Sequence, residues 1–210
     1  VLMRKFRTIL KKDGFSKGER IAIIANNSAE FAITAYAAYG LGGILVPMYE
    51  YQKFQDWEFI FSDSKPTLAV VGNDTIREKI EGIQCESLKK IYVIHSENAQ
   101  KSMRSLIDSE SELTEISEDL NENDICDIIY TSGTTGRPRG VILTHKNVVE
   151  NIKSTAARFP IGSTDRLLTF LPWAHAFGKT VELHIFPAVG AALGLAESSR
   201  TIANDLLLVN

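Results

Sequence analysis

Eleven consecutive residues, 130–140, carry the side chains expected of a polyphosphate-binding loop. The segment reads YTSGTTGRPRG and combines hydroxyl side chains, glycines and two arginines. Gly133 and Gly136 permit backbone angles that other residues avoid, and they let the chain approach a bulky anion. Successive backbone N–H groups in such a turn form an anion-binding nest, to which Thr and Ser hydroxyls add donors. Arg137 and Arg139 contribute guanidinium groups, which bind phosphate bidentately.

Two common phosphate-binding patterns are absent from this segment. A Walker A loop requires G-x-x-x-x-G-K-[ST], and Gly133 has no such continuation. The G-x-G-x-x-G pattern is not there either. Composition alone would also suit a flexible surface loop of Gly, Ser and Thr. The composition of the segment therefore leaves both interpretations open.

A second candidate segment, Thr169–Gly178, reads TFLPWAHAFG. Its apolar start predicts a strand up to Pro172, followed by a helix. Open α/β sheets bind ligands where strands end and helices begin, so Trp173, His175 and Phe177 are expected at the mouth of the sheet. A histidine taken alone is more typical of a satisfied core or capping residue. Lys179, which follows the segment, could approach a carboxylate or a phosphate, but an exposed helix lysine is expected.

Alternating strands and helices must position these two segments. Strands are predicted over residues 20–25, 44–47, 67–71, 91–95, 125–131, 140–143, 166–171 and 191–196. Helices are predicted over residues 30–41, 54–63, 73–81, 147–158, 174–189 and 201–209. Residues 96–124, rich in Ser, Glu and Asn, predict a surface excursion with a short helix. Repeated β-then-α units indicate an α/β fold with a layered, largely parallel sheet flanked by helices.

The composition narrows the class of protein. The chain has 210 residues, of which 44% are hydrophobic and 23% charged, and a formal charge of −3. A formal net charge of −3 argues against a general nucleic-acid partner. The two cysteines are too few for a disulfide scaffold, and no Cys/His spacing indicates a metal site. No apolar run reaches the ~20 residues that span a bilayer. The sequence therefore predicts a cytoplasmic chain without a protein-built metal centre.

The segment YTSGTTGRPRGV resembles the phosphate-binding signature of the adenylate-forming (AMP-binding) superfamily. The usual form ends in P-K-G, whereas this chain has Arg139, which keeps the charge of the lysine but not its shape. Further resemblances lie in GERIAI at 18–23, NSAE at 27–30, LVPMY at 45–49 and LTHKN at 143–147. The resemblance covers nearly the whole chain, and residues 96–119 match least.

The resemblance implies roles for individual residues. It places the carboxylate of an acyl substrate beside His175, as the catalytic residue, and beside Trp173 and Phe177. The version LPWAHAFGKTVELH, with Glu182, looks most like the branch that activates long-chain fatty acids. The loop residues would bind the β- and γ-phosphates of ATP, and they are Thr131, Ser132, Gly133, Thr134, Thr135, Gly136, Arg139 and Gly140.

The resemblance also implies a reaction. A fatty acid carboxylate attacks the α-phosphate of Mg²⁺-bound ATP, which releases pyrophosphate and leaves an acyl-adenylate. The thiol of coenzyme A then displaces AMP to give acyl-CoA. The implied partners are therefore fatty acid, ATP, Mg²⁺ and coenzyme A. The resemblance also allows peripheral association of the full-length form with a membrane.

Several parts of the family pattern are not found in this chain. A later Y-G-x-T-E segment, a Y-x-T-G-D segment and a small C-terminal lid domain with its lysine are missing. We expect residues 1–210 to be a partial N-terminal AMP-binding domain that is inactive alone. Two alternatives remain open at this point. One is an adenylation domain for aryl or amino acids, and the other is a non-catalytic fragment that binds a nucleotide or a partner, or self-associates, through an exposed sheet edge.

Overall fold

The computed structural model describes residues 1–117, 119–132, 137–198 and 200–209. The chain divides into two compact units, Val1–His145 and Lys146–Asn210, and each is described by itself. The first unit contains the predicted phosphate-binding segment. The second contains the segment with His175.

A sheet of six strands forms the centre of the first unit, in the order β4-β3-β1-β2-β5-β6. Neighbouring strands from β4 to β5 run parallel, and β6 pairs antiparallel with β5. The apolar runs of β1 and β2 are buried almost throughout, as expected for parallel strands covered on both faces. The strands are β1 (Arg20–Ile24), β2 (Ile44–Met48), β3 (Leu68–Asn73), β4 (Lys90–His95), β5 (Ile125–Ser132) and β6 (Pro138–Thr144).

Helices cover this sheet, and their ends follow local capping rules. The Ser28 side chain accepts the Phe31 N–H at the start of one helix, and Asn73 accepts the Ile76 N–H at the start of another. Trp57, Ile60 and Phe61 pack with residues of β1, β2 and β3 in one buried cluster. The helices are α1 (Leu2–Lys12), α2 (Ala29–Gly40), α3 (Phe54–Ser64), α4 (Asp74–Glu81), α5 (Met103–Ser109) and a 3-10 turn (Ala99–Lys101).

The second unit contains a smaller parallel pair of strands, β7 (Arg166–Thr169) and β8 (Ala192–Leu195). A helical run connects them. It begins as α7 (Ala176–Gly178), continues as a π-helix (Lys179–Ile185) and ends as α8 (Phe186–Ala188). Helix α6 (His145–Ala156) precedes β7, and α9 (Ile202–Val209) follows β8. Within the described residues, no helix has the length and apolar character needed to cross a membrane.

The predicted fold class is confirmed, because a mostly parallel sheet with flanking helices is what the chain forms. The predicted excursion at 96–124 does carry a short helix, α5, which buries Met103 and Ile107. One helix differs from its prediction. The run predicted as a regular helix over 174–189 contains the π-helix Lys179–Ile185, a form that hydrophobic periodicity does not distinguish from an α-helix.

The buried cluster of the first unit gives a direct stability test on α3. We expect Phe61→Ala to lower the free energy of unfolding by about 3–5 kcal/mol, because the ring is fully buried and its loss leaves a cavity. Phe54→Ala, on the same helix but 40% exposed, should stay near the ~0.5 kcal/mol of surface changes. Urea denaturation followed by circular dichroism measures both. Equal losses would contradict this description of the core.

Candidate functional site

The predicted phosphate-binding segment lies on an antiparallel hairpin at one edge of the sheet. Strand β5 ends at Ser132 and β6 begins at Pro138. Thr131 pairs directly with Arg139 in the ladder, so their side chains share one face of the hairpin. Both residues are exposed. A hydroxyl donor and a guanidinium are therefore presented together to solvent beside the connection 133–137.

Part of the predicted loop lies outside the described residues. Gly133, Thr134, Thr135 and Gly136 lie outside the described residues, and so does the side chain of Ser132. Their assignment to phosphate binding stays a prediction. Thr131, Arg139 and Gly140 are the described members of the set, and all three lie on the paired strands.

Tyr130 holds the hairpin against helix α3. Its hydroxyl donates to Asp63 Oδ2 at 2.6 Å, and its ring packs edge-on against Phe59. Burial raises the pKa of Tyr130, and the hydrogen bond to Asp63 raises it further. Gly140 pairs with Tyr130, and a Cβ at Gly140 would lie 3.2 Å from the Tyr130 ring and 2.8 Å from Ile128 Cγ2. The glycine therefore makes room for the tyrosine that fixes this end of the hairpin.

A buried carboxylate fixes the other end of the hairpin, where β5 joins β2. Asp127 pairs with Leu45 of β2 and is 1% exposed. The Tyr39 hydroxyl donates to both carboxylate oxygens of Asp127, at 3.0 and 3.1 Å. Burial raises the pKa of Tyr39 well above its ordinary value, and the charge of Asp127 adds to this effect. Sequence reasoning missed Asp127, although an acidic residue inside the apolar run ICDIIY was a usable signal.

His145 follows β6 and begins α6. Its ring packs edge-on against Tyr39, with ring centres 5.8 Å apart. Burial lowers the pKa of His145, while the charges of Asp127 and Asp124 act in the opposite direction. The Nε2 atom is buried and has no hydrogen-bond partner within the described ranges.

In the second unit, His175 occupies the cap position of the helical run. Its Nδ1 accepts the Phe177 N–H at 3.3 Å, so the neutral ring carries its proton on Nε2. The backbone N–H of His175 donates to the Pro172 carbonyl at 3.0 Å. His175 and Phe177 are both exposed. The arrangement presents an N–H donor beside an aromatic ring, which suits a carboxylate on an apolar chain.

Trp173, the third residue predicted to contact substrate, is placed differently. It is buried, and its indole N–H donates to Thr169 Oγ1 at 3.1 Å. Trp173 thus packs beneath the turn that presents His175 and Phe177. Its contact with substrate stays a prediction.

Two charged residues of the π-helix are buried, which the sequence did not indicate. The expectation of an exposed Lys179 is wrong, because this side chain is 2% exposed in the fold. Glu182 is 3% exposed, and its carboxylate accepts hydrogen bonds from the Thr169 hydroxyl and from the N–H groups of Phe170 and Leu171. Helical periodicity alone does not show which tertiary neighbours will bury a charged side chain.

The half-buried position of His145 predicts a pH dependence of stability. Its pKa in the folded chain is below the unfolded value of about 6.5, so the unfolded chain binds a proton more readily as the pH falls. We expect the free energy of unfolding to decrease from pH 7.5 to pH 5.5, and His145→Gln to remove part of that decrease. Urea denaturation at both pH values measures this.

The matched control is His95→Gln, which replaces an exposed histidine at the end of β4. It should leave the pH dependence as in the parent chain. An unchanged dependence in His145→Gln would contradict the assignment to His145.

Comparison with known proteins relates both segments to one family. Residues 2–209 match the family described as AMP-binding enzyme. The long-chain-fatty-acid–CoA ligase FadD15 of Mycobacterium bovis is 30% identical over 183 residues, which cover 82% of this chain and 30% of that protein. The long-chain-fatty-acid–CoA ligase FadD13 of Mycobacterium tuberculosis is 30% identical over 182 residues, covering 85% of this chain and 35% of that protein. The chain thus spans about a third of the length of these relatives.

Solved structures agree on the fold. The inhibitor-bound N-terminal domain of FACL13 from Mycobacterium tuberculosis superposes with a TM-score of 0.87 at 25% identity, covering 99% of this chain and 52% of that one. ATP-bound MatB from Rhodopseudomonas palustris superposes with a TM-score of 0.83 at 22% identity, over 93% of this chain and 38% of that one. With its hairpin, its sheet and its family match over 2–209, this chain belongs to the AMP-binding, adenylate-forming enzymes.

Proposed function

We propose that this chain supplies the phosphate-binding and carboxylate-binding parts of a long-chain fatty acid–CoA ligase. The reaction proceeds through an acyl-adenylate, with Mg²⁺-bound ATP, fatty acid and coenzyme A as substrates. The observation that carries the proposal is the hairpin, which presents Thr131 and Arg139 on one exposed face beside the glycine-rich connection. Family membership and relatives named long-chain-fatty-acid–CoA ligases support the choice of substrate.

The first half of the reaction requires anions to be gathered and aligned. A carboxylate must approach the α-phosphate of ATP in line with the departing pyrophosphate, so orientation and electrostatic stabilisation supply most of the rate enhancement. Arg139 offers charge to the polyphosphate, and Thr131 adds a hydroxyl donor. Backbone N–H groups of the glycine-rich connection would complete the anion site.

In this proposal, residues of the second unit bind the carboxylate substrate. The Nε2–H of His175 donates a hydrogen bond to the acyl carboxylate, and Phe177 provides an apolar wall for the chain that follows it. A hydrogen bond to a charged group aligns the attacking oxygen without removing its charge. This role rests on the exposure of both residues and on the Nδ1 contact that leaves Nε2 as the donor.

The reaction is tested on the complete product of the gene that encodes this chain. We expect ATP–pyrophosphate exchange with palmitate and decanoate, and acyl-CoA formation when coenzyme A is added. Exchange only with benzoate or with amino acids would assign the protein to the alternative adenylation class. No exchange and no ATP binding would favour a non-catalytic role. The 210 residues alone should yield no acyl-CoA, and its detection would contradict the partial-domain interpretation.

Removal of the His175 ring should affect the carboxylate substrate selectively. We expect His175→Ala to lower kcat/KM for fatty acid by about 10- to 100-fold, because a hydrogen bond to a charged group is lost. The KM for ATP should stay unchanged. His95→Ala, at the exposed end of β4, is the matched histidine control and should behave as the parent. An equal rise of both KM values in His175→Ala would contradict the assigned role.

Charge at position 139 should affect ATP instead. We expect Arg139→Gln to raise the KM for ATP by about tenfold, since a charge-assisted contact to phosphate is removed. Arg139→Lys keeps the charge and should retain most of the affinity. Arg158→Gln, an exposed arginine in the second unit, serves as the control. If Arg139→Gln binds ATP like the parent, Arg139 does not contact the phosphates.

A further inference from the structure

We infer that Glu182 is a positioning residue for His175. Its buried carboxylate holds the turn between β7 and the helical run, and this turn fixes the position of the Nε2–H donor of His175. The inference rests on the proposed function in one respect, namely that His175 receives the acyl carboxylate. Its structural part concerns the second unit alone.

The carboxylate of Glu182 accepts hydrogen bonds from the residues at the point where β7 ends. Oε1 accepts the Leu171 N–H at 3.2 Å and the Phe170 N–H at 3.4 Å, and Oε2 accepts the Thr169 hydroxyl. These three donors are consecutive in the chain and come directly at the end of the strand. One buried side chain therefore holds the path of the backbone as it leaves the sheet.

A second hydrogen bond extends this cluster to the tryptophan. The Trp173 indole N–H donates to Thr169 Oγ1 at 3.1 Å, and the same hydroxyl donates onward to Glu182. Thr169, Trp173 and Glu182 are all buried. Hydrogen bonds in such a chain polarise and strengthen one another in a low-dielectric interior. The Thr169 hydroxyl thus couples the carboxylate to the residue that lies two positions before His175.

The turn that Glu182 stabilises also fixes the position of His175. The Pro172 carbonyl accepts the His175 N–H at 3.0 Å, and the His175 carbonyl accepts the Lys179 N–H at 2.9 Å. Gly178 lies against the same backbone, since a Cβ there would come within 2.6 Å of the Pro172 oxygen. The helix start is therefore packed directly onto residues 171–172. A shift of that backbone would move the ring of His175 and its Nδ1 contact with Phe177.

Packing alone does not explain a carboxylate at this position. Burial of an anion is costly, and a well-packed apolar residue of similar volume often stabilises a fold as well or better. What Glu182 offers instead is acceptor oxygens for three consecutive donors of the turn. The cost is consistent with a role in geometry, in the same way that outer groups orient the ligands and bases of active sites.

The first experiment determines which ring nitrogen of His175 carries the proton in the 210-residue chain. Long-range ¹H–¹⁵N spectra report which ring nitrogen of each of the four histidines carries the proton, and His175→Gln assigns the signals. We expect the Nε2–H form in the parent chain and in Thr169→Ser. Glu182→Ala and Thr169→Val should give a mixture of the two tautomers, because the turn is no longer held. An unchanged tautomer in Glu182→Ala overturns the inference.

The kinetic arm uses the complete gene product, with the concentration of active enzyme fixed by titration of the acyl-adenylate burst. We expect Glu182→Ala to lower kcat/KM for fatty acid about tenfold or more while the KM for ATP is unchanged, since a misplaced hydrogen bond forfeits most of its contribution. Glu182→Gln keeps the shape and should lose less. Thr169→Val combined with Glu182→Gln should be non-additive, as expected for residues in one network.

A stability control separates positioning from folding. Ile185→Ala removes a fully buried side chain from the same π-helix and should lower the melting temperature without altering the His175 tautomer or kcat/KM. If Glu182→Ala behaves like Ile185→Ala in every readout, Glu182 is a packing residue and the inference fails. If the parent gene product activates no fatty acid, the proposed function fails, and the tautomer measurement still decides the role of Glu182.

Discussion

A buried carboxylate needs hydrogen-bond donors, and this requirement organises both candidate sites. Asp127 meets it through the hydroxyl of Tyr39 on α2, at the place where β5 joins the sheet. Glu182 meets it through a threonine hydroxyl and two backbone N–H groups at the end of β7. Without those donors, each buried carboxylate would carry an uncompensated desolvation cost. In each unit, these hydrogen bonds therefore connect a candidate site segment to a neighbouring helix or strand.

The two candidate sites differ in the structural element that the buried groups stabilise. In the first unit, Asp127 and Tyr130 fix the two ends of a hairpin whose exposed face carries Thr131 and Arg139. In the second unit, Glu182 fixes a turn, and the exposed residues follow on a helix that widens into a π-helix. Anion binding by a hairpin connection suits backbone donors, whereas alignment of one carboxylate suits a single oriented ring. In the proposed function, the hairpin would bind the polyphosphate and the ring would align the acyl carboxylate.

Much of the fold followed from local patterns. Strands β1 to β4 and helices α2 to α4 form within a few residues of their predicted bounds, because apolar runs and capping residues such as Ser28 and Asn73 specify them locally. The pairing of Thr131 with Arg139 was less accessible, since it depends on the antiparallel register of β5 and β6. Lys179 was mispredicted because helical periodicity does not reveal a π-helix or which neighbours will bury a charged residue.

The sequence by itself determined the family and the fold class of this protein, through the order YTSGTTGRPRG, the WAHAF segment and the β-then-α alternation. Only the tertiary structure decided which side chains share a face, which charges are buried and which donors satisfy them. Asp127 reaches Tyr39 across 88 positions of the chain, and Glu182 reaches back 13 positions to Thr169. The physical reason is that hydrogen-bond satisfaction in a core is a property of packed neighbours, which local sequence does not specify.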